Sequence, residues 1–190
     1  MYLSGRTSGQ TTVQWLTADG RNEPLLAEPG FYQFCYLAPD GIRLLTTRAE
    51  GANIHIWVYD PQRGGWQRLT AGTGVNTYPI WSTDGKAVVF SSNGQLHWVS
   101  ADGSDRPQPL IKTAGLATPA SFTPDGKRIM FVELKTDGGS RLQTMTIASE
   151  SGRVKAGEPE LFRELSASQP YAAISPDGRW VAYASSDSGA

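Results

Sequence analysis

Short apolar stretches separated by turn-forming residues run along the whole chain. Four of them stand at the same distance after an Asp-Gly pair, and they are Leu44-Leu45, Val88–Phe90, Ile129–Phe131 and Val181–Tyr183. Stretches that are apolar at successive positions are typical of strands buried on both faces. No window keeps the 3.6-residue period of an amphipathic helix. The pattern therefore predicts an all-β protein built from many short strands.

The turn before each apolar stretch has a repeated sequence. An apolar residue, a small residue and a proline or threonine precede Asp-Gly in Leu37–Gly41, Trp81–Gly85, Phe122–Gly126 and Ile174–Gly178. Successive aspartates of these turns lie 44, 41 and 52 residues apart. Proline presets the first turn angle, aspartate bonds to the backbone two residues on, and glycine accepts a positive φ. Each motif therefore predicts a β-hairpin between the flanking strands.

A second repeated segment has the same period but a different phase. Val13–Gly20 matches Leu96–Gly103, with Trp, Ala, Asp and Gly identical. The tryptophans of the two segments have a third counterpart between them, so Trp15, Trp57 and Trp98 are separated by 42 and 41 residues. A period of about 40–45 residues with four short strands per unit is typical of β-propeller blades. We assign the three tryptophans to packing between blades.

The phase of the repeats predicts one propeller domain over residues 1–190, with three full blades and two complementary half-blades. The half-blades span about 11–27 and 169–188, and the full blades about 31–71, 77–112 and 118–163. In the second full blade the four strands are predicted at Thr77–Ser82, Ala87–Ser91, Gln95–Ser100 and Gln108–Ile111. The outer half-blade strands are predicted at Thr12–Thr17 and Glu23–Leu26, and the inner ones at Tyr171–Ser175 and Trp180–Ser185.

Two complementary half-blades leave three arrangements open. The chain closes on itself as a four-bladed ring, two chains exchange halves to give an eight-bladed ring, or the piece stays open with exposed strand edges. Exchange of identical elements is a low-cost route to dimers. We therefore expect a homo-oligomer formed through half-blade completion.

These motifs resemble a known family of repeats. Thr123–Lys127 and Ser175–Arg179 resemble the PD40 (WD40-like) repeats of TolB-like six-bladed propellers, and the resemblance extends over residues 11–188. Val13–Leu25 and Ser175–Ser185 are similar to propeller regions attached to bacterial serine/threonine kinases. The resemblance implies a propeller fold and no catalytic residues in the repeats. Two copies depart from the motif, since Thr83 replaces proline and Ala38 replaces the hydroxyl residue, and neither change threatens the turn.

Charge and composition exclude some classes of partner. The net charge is −1, from 17 basic and 18 acidic residues, with no run of five like charges. This is not the electrostatic footprint of a nucleic-acid binder or of a polybasic membrane patch. No apolar run approaches the ~20 residues of a membrane span, and Met1–Arg6 has no apolar core of a signal peptide. Either the protein is cytoplasmic or the chain is an internal piece of a longer one, and the repeat phase favours the second.

The sequence offers few groups for chemistry. Cys35 lies in an apolar run and is expected to be a buried small hydrophobe. His55 and His97 have no serine elbow or cysteine partner and are expected to be structural or exposed strand residues. The glycine-rich Ala71–Gly74 lacks the Lys-Ser/Thr ending of a phosphate loop. We therefore predict no catalytic, cofactor-binding or metal-binding residues, and no cofactor.

Two acidic loops and one insertion complete the candidates. Asp102–Asp105 and Asp137–Ser140 do not fit a twelve-residue calcium loop and are expected to be solvated turns. The 52-residue spacing implies about 8–11 extra residues within 135–168, at Lys135–Ser140 or Ser149–Glu158. Long loops often carry binding function, but a tolerated surface insertion is the expected explanation.

The sequence is best explained by a non-catalytic binding or scaffold module that mediates protein–protein interaction. The alternative is a substrate-docking or sensor propeller of a larger enzyme, a kinase or a peptidase, whose catalytic domain is absent from this chain. An enzyme within the ring would need side chains converging on the central channel, and the sequence has no motif of one.

Overall fold

The computed structural model describes residues 10–150, 153–166 and 171–184. Within these ranges the chain forms 17 β-strands in five antiparallel sheets and no helix. The remaining positions, including 169–170 and 185–188 of the predicted last half-blade, lie outside the described residues. No helix long and apolar enough to cross a membrane occurs in the described part of the chain.

The sheets follow one another along the chain as a half-blade, three full blades and a second half-blade. The first half-blade pairs β1 (Thr11–Leu16) with β2 (Asn22–Gly30). The first full blade contains β3 (Tyr32–Leu37), β4 (Leu44–Glu50), β5 (Asn53–Asp60) and β6 (Gly65–Arg68). The second contains β7 (Asn76–Trp81), β8 (Ala87–Ser92), β9 (Gln95–Ser100) and β10 (Gln108–Pro109).

The third full blade has an additional strand. It contains β11 (Leu116–Phe122), β12 (Arg128–Leu134), β13 (Ser140–Glu150), β14 (Arg153–Ala156) and β15 (Glu160–Leu165). The last half-blade pairs β16 (Ala172–Ile174) with β17 (Val181–Tyr183). In each full blade the strands pair in sequence order, except that β13 pairs with both β14 and β15. The predicted all-β propeller fold, with three full and two half-blades, is confirmed.

Three predicted strands are shorter than expected. In the last half-blade, Tyr171–Ser175 is reduced to Ala172–Ile174, and the described part of Trp180–Ser185 is reduced to Val181–Tyr183. The fourth strand of the second full blade ends at Pro109 rather than Ile111. Proline has no N–H, so it cannot continue the ladder to β9. Leu110 N still donates to Leu96 O at 2.9 Å, just beyond the strand.

The core lies between the blades, and β8 explains why its sequence is continuously apolar. Val88 and Phe90 are fully buried against the first full blade. Val89 is fully buried against the third. Since side chains alternate between faces along a strand, both faces of β8 are core. Burial of a side chain such as Phe90 stabilises the fold by about 1.5–3 kcal/mol.

The Asp-Gly turns share one hydrogen-bond pattern. Ser82 Oγ donates to Asp84 Oδ1 at 2.6 Å, and Lys86 N donates to the same oxygen at 3.0 Å. The turns at Asp125 and Asp177 repeat both bonds. In the first turn Ala38 has no hydroxyl, and Arg43 Nε donates to Asp40 Oδ2 instead, at 2.7 Å.

These turns also stack on one another from blade to blade. Arg43 Nη2 donates to Gly85 O at 2.7 Å, which joins the first two full blades. A Cβ added at Gly126 would overlap Thr83 Oγ1, and one at Gly178 would lie 3.3 Å from Pro124 Cδ. The replacement of proline by Thr83 therefore keeps the contact between neighbouring turns.

The predicted insertion forms a hairpin rather than a free loop. β13 extends past the blade and pairs with β14 from Ile147↔Ala156 to Glu150↔Arg153. Val154 and Ala156 are partly buried against the core between the second and third blades. The described strand of the insertion, β14, therefore covers part of the core.

Candidate functional site

The first strands of the three full blades carry the same irregularity. The pairing of β3 with β4 shifts between Gln33 and Tyr36, and that of β7 with β8 shifts between Thr77 and Ile80. β11 has a shift at the corresponding place. A β-bulge of this kind bends a strand and re-aims a side chain, and bulges are common next to functional sites.

Two aromatic residues in these bulges adopt left-handed backbone angles. Phe34 has φ 54° and Tyr78 has φ 52°. Their ring centroids lie 4.9 Å apart with the planes tilted by 52°. For a non-glycine residue this conformation costs about 1–3 kcal/mol and persists only where the surroundings enforce it. The bulges therefore hold two rings together at an energetic cost.

Phe34 and Tyr78 occupy equivalent positions in the repeat, together with two further residues. Phe34, Tyr78, Pro119 and Tyr171 each stand six residues before the aspartate of their own turn. All four line a single cavity. We call this set the channel collar. Sequence reasoning missed it, although aligning the four Asp-Gly turns places the four residues in register.

The cavity enclosed by the channel collar has a volume of about 280 Å³. Its lining comes mainly from the first strands of four sheets, namely β3, β7, β11 and β16 with Tyr171 directly before it, and β12 adds Val132 and Leu134. Its other lining residues are Tyr36, Pro79, Ile80, Leu116, Thr118, Ala120, Val132, Leu134 and Ala172. No charged side chain occurs in the described lining. Concave, mostly apolar sites with a few polar atoms are the usual form of a binding site.

One phenol of the cavity and a thiol beside it are partly buried. Burial raises the pKa of the Tyr36 phenol above its ordinary value, and the neighbouring Tyr171 and Cys35 add to the rise. Burial likewise raises the pKa of the Cys35 thiol, although its contact with Thr46 Oγ1 at 3.6 Å acts in the opposite direction. Since the thiolate is the nucleophile, a raised pKa makes this thiol unreactive. The uncharged lining suits binding, and Cys35 beside it is not an activated nucleophile.

The two histidines lie in strands and contact residues of their own blades. His55 is 3% exposed, and its Nδ1 lies 3.3 Å from Thr70 Oγ1. His97 is half-buried, 5.8 Å from the Phe90 ring, with Nδ1 3.1 Å from Gln95 O. Neither residue lines the cavity.

Glu133 is a buried carboxylate that the sequence analysis does not single out, and it accepts hydrogen bonds from neighbouring residues. Glu133 is 6% exposed and accepts hydrogen bonds from Gly115 N at 3.0 Å and Gln143 Nε2 at 2.7 Å. These bonds fix the start of β11, which contributes Leu116 to the cavity. Glu133 therefore positions a wall of the site.

The acidic loops use their carboxylates within the turns. Asp102 accepts bonds from the backbone and hydroxyl of Ser104, and Asp137 pairs with Lys135 at 3.5 Å. In the described residues no group of three His, Cys, Asp or Glu side chains is placed to hold a metal ion.

The three repeated tryptophans have unequal surroundings. Trp98 lies in the core between the second and third full blades. Trp57 is half-buried below Arg48, whose guanidinium carbon lies 5.0 Å from its ring, 5.2 Å from Trp66 and 5.6 Å from Tyr32. Trp15 remains 36% exposed because β1 is the free edge of a two-stranded sheet. Inter-blade packing therefore describes Trp98 well and Trp15 poorly.

Comparison with known proteins identifies relatives of the whole arrangement. A family model described as PD40, TolB beta propeller domain, matches residues 5–190. Among solved structures, TolB from Acinetobacter baumannii superposes with a TM-score of 0.70 at 22% identity, over 95% of this chain and 44% of that one. A structure described as TolB from Agrobacterium tumefaciens gives a TM-score of 0.69 at 24% identity, over 93% of this chain and 67% of that one.

One curated relative is larger. The chain is 24% identical to the uncharacterized peptidase YuxL of Bacillus subtilis (strain 168), over 77% of the chain. The matching region spans 28% of the length of that peptidase. The chain is thus similar to a minor part of the relative.

Proposed function

The chain belongs to the TolB β-propeller domain family, and from this premise we propose that it is a non-catalytic docking module whose channel collar binds a segment of a protein partner. The observation that carries the proposal is the collar itself. Each of four sheets contributes one residue from the same repeat position to one uncharged cavity. Two of these residues, Phe34 and Tyr78, are held at unfavourable backbone angles.

The chemistry of the collar favours a peptide segment. Aromatic rings provide large, rigid contact areas, and such residues dominate the binding energy of protein interfaces. The three aromatic rings and one proline of the collar line one cavity, so each can contact a different side chain of one extended segment. The phenols of Tyr36, Tyr78 and Tyr171 provide polar atoms at the same place for backbone hydrogen bonds.

A selection from a phage-displayed peptide library tests this proposal. Peptides selected on the immobilised chain are labelled, and their Kd is measured by fluorescence anisotropy. Tyr171→Ala and Phe34→Ala are expected to raise Kd about tenfold or more, since removal of a central aromatic contact costs over 1 kcal/mol. Tyr171 is 69% exposed, so its removal leaves the fold intact.

The matched control is Phe162→Ala. Phe162 is 53% exposed on β15 and does not line the cavity. Its removal is expected to leave Kd unchanged. If the selected peptides bind the collar variants as tightly as the wild type, the collar is not the binding site.

A second copy of the chain is proposed as a further partner, through completion of the half-blades. Support comes from two incomplete sheets, β1–β2 and β16–β17, that supply the outer and inner halves of one blade. Light scattering tests this: a mass twice the 20.5 kDa of the chain supports the proposal, and the monomer mass rejects it.

The second candidate is a docking or sensor propeller within a larger enzyme. Its support is the similarity to part of a peptidase. In that setting the collar would hold substrate segments for a catalytic domain. Determination of the complete coding sequence tests this candidate: a peptidase or kinase domain in the same polypeptide favours it, and a polypeptide made only of propeller repeats rejects it.

A further inference from the structure

The polar side chains that line the collar cavity are all hydroxyls. They belong to Tyr36, Tyr78, Thr118 and Tyr171. None of these hydroxyls forms a hydrogen bond with another described residue. Burial raises the pKa of the Tyr36 phenol, so this group keeps its proton. The cavity therefore offers hydroxyl groups that are free to donate hydrogen bonds to an occupant.

The same lining is unfavourable for a charged occupant. Its described residues include no carboxylate, amide or basic side chain. An ionised group that leaves water without a partner of opposite charge loses much of its hydration free energy. The part of a partner that enters the cavity is therefore uncharged.

The size of the cavity excludes a helical occupant. One turn of an α-helix is about 5.4 Å long and about 10–12 Å across with its side chains, which corresponds to about 400–600 Å³. The cavity has a volume of about 280 Å³. A segment of a protein partner therefore enters it in an extended conformation.

The lining strands are poor templates for an added β-strand. A strand added to a sheet edge needs a regular row of backbone N–H and C=O groups. Pro79 lies in β7 and Pro119 lies in β11, and neither residue has an N–H. The pairing of both strands is also shifted next to these prolines. Contacts of the occupant with side chains are therefore favoured over a continuous backbone ladder.

A polyproline II helix satisfies these requirements. It is extended, with three residues per turn and no internal hydrogen bonds, and its prolines have no N–H to satisfy. Its carbonyls need donors, and hydroxyls are the polar groups that the lining provides. Proline-rich segments commonly dock in aromatic-lined grooves, and they lose little conformational entropy because the helix is formed beforehand. The rings of Phe34 and Tyr78, whose centroids lie 4.9 Å apart, provide such a surface.

From these observations we propose that the channel collar binds an uncharged, proline-rich segment in the polyproline II conformation. The proline rings pack on the aromatic side chains of Phe34, Tyr78 and Tyr171, and the backbone carbonyls accept hydrogen bonds from the hydroxyls. This inference rests on the proposed docking function and specifies the chemistry of the docked segment.

Fluorescence anisotropy with defined peptides tests the inference. The probe is a labelled peptide of three polyproline II turns, about nine prolines, with blocked ends. The control is a Gly-Ser peptide of the same length with the same label and ends. We expect the proline peptide to bind at least about tenfold more tightly than the control. Replacement of its central proline by glutamate is expected to weaken binding by about tenfold or more, because the lining has no countercharge.

Variants of the protein locate the binding and test the hydroxyls. Phe34→Ala is expected to raise the Kd of the proline peptide about tenfold or more, whereas Phe162→Ala, outside the cavity, leaves it unchanged. Tyr36→Phe and Tyr171→Phe keep the rings and remove one hydroxyl each, so each is expected to raise Kd about two- to tenfold. Tyr183→Phe is the matched control, since Tyr183 does not line the cavity.

Three results overturn the inference. The first is a proline peptide that binds no more tightly than the Gly-Ser control. The second is binding that Phe34→Ala leaves unchanged, and the third is binding that neither tyrosine variant weakens. Peptides selected from the phage library are measured on the same samples. If these bind at the collar and contain no proline, the docking proposal stands and the proline-rich chemistry is wrong.

Discussion

The left-handed backbone at Tyr78 predicts an inverted order of stability between alanine and glycine. In an ordinary strand, glycine is less stable than alanine by about 0.5–1 kcal/mol because it loses more conformational freedom on folding. At a left-handed angle a Cβ destabilises the folded backbone by about 1–2 kcal/mol, and glycine has no Cβ. Tyr78, at φ 52°, therefore reverses the usual order.

The magnitude follows from these two terms. Tyr78→Gly is expected to be more stable than Tyr78→Ala by about 0.5–1 kcal/mol. Both variants lose the same ring, so its packing cancels in the comparison. The control is Ile80, in the same strand and outside the left-handed region, where Ile80→Gly should be less stable than Ile80→Ala by about 0.5–1 kcal/mol.

Urea unfolding followed by tryptophan fluorescence measures the four free energies of unfolding. For a chain of this length, each kcal/mol corresponds to a change of about 2–4 °C in Tm, so thermal unfolding offers an independent check. If Tyr78→Gly is less stable than Tyr78→Ala by the same margin as the control pair, the bulge does not hold Tyr78 in a left-handed conformation. In that case the collar is not a strained site.

Three further perturbations address the turns and the first blade. Gly126→Ala should lose about 1–3 kcal/mol more than Gly41→Ala in urea unfolding, since both have positive φ but only Gly126 faces Thr83, and Thr83→Ala should recover part of the difference. The hydrogen bond from the threonine hydroxyl of its turn, with a backbone N–H, lowers the pKa of Asp125 below its ordinary 3.8. The Asp125 carboxylate therefore stabilises the fold above about pH 4, and this stabilisation is lost as the pH falls through the lowered pKa. Asp125→Asn lacks the carboxylate, so its urea midpoint should fall less on acidification than that of the wild type. Arg48→Met should lose about 1–2 kcal/mol of unfolding free energy and alter tryptophan emission, because its guanidinium faces three aromatic rings.

The blades were predictable because their information is local. An Asp-Gly turn such as Ser82–Lys86 specifies its own hydrogen bonds, and the same chemistry recurs in every copy. The apolar run of β8 likewise indicates burial on two faces without knowledge of the partners. Period and turn chemistry together were therefore sufficient for the fold class.

The collar was not predicted because its residues are alike in position rather than in type. A phenylalanine, a proline and two tyrosines share no motif, and the bulges that bring Phe34 and Tyr78 together arise from pairing with β4 and β8. The exposure of Trp15 has a similar origin. Its sequence matches the region of Trp98, but Trp98 has strands on both sides and Trp15 does not. Such differences depend on neighbours that the local sequence does not contain.

Each blade packs on its neighbour through the turn and lines the cavity through the collar position, and these two parts are separate in sequence. Neighbouring turns contact each other through backbone atoms, such as Gly85 O that accepts from Arg43, and through small or proline side chains. This end of each blade therefore tolerates little change. Six residues earlier, the collar position holds Phe34, Pro119 or Tyr171, and each is followed by a turn whose Pro-Asp-Gly sequence is unchanged. One residue per blade can therefore alter the lining of the channel while the stacking of the blades is preserved. A docking module built in this way can acquire a new partner by substitutions at the collar alone, and exchange of residue types among the collar positions should change peptide selectivity without a change in unfolding free energy beyond that of the bulge itself.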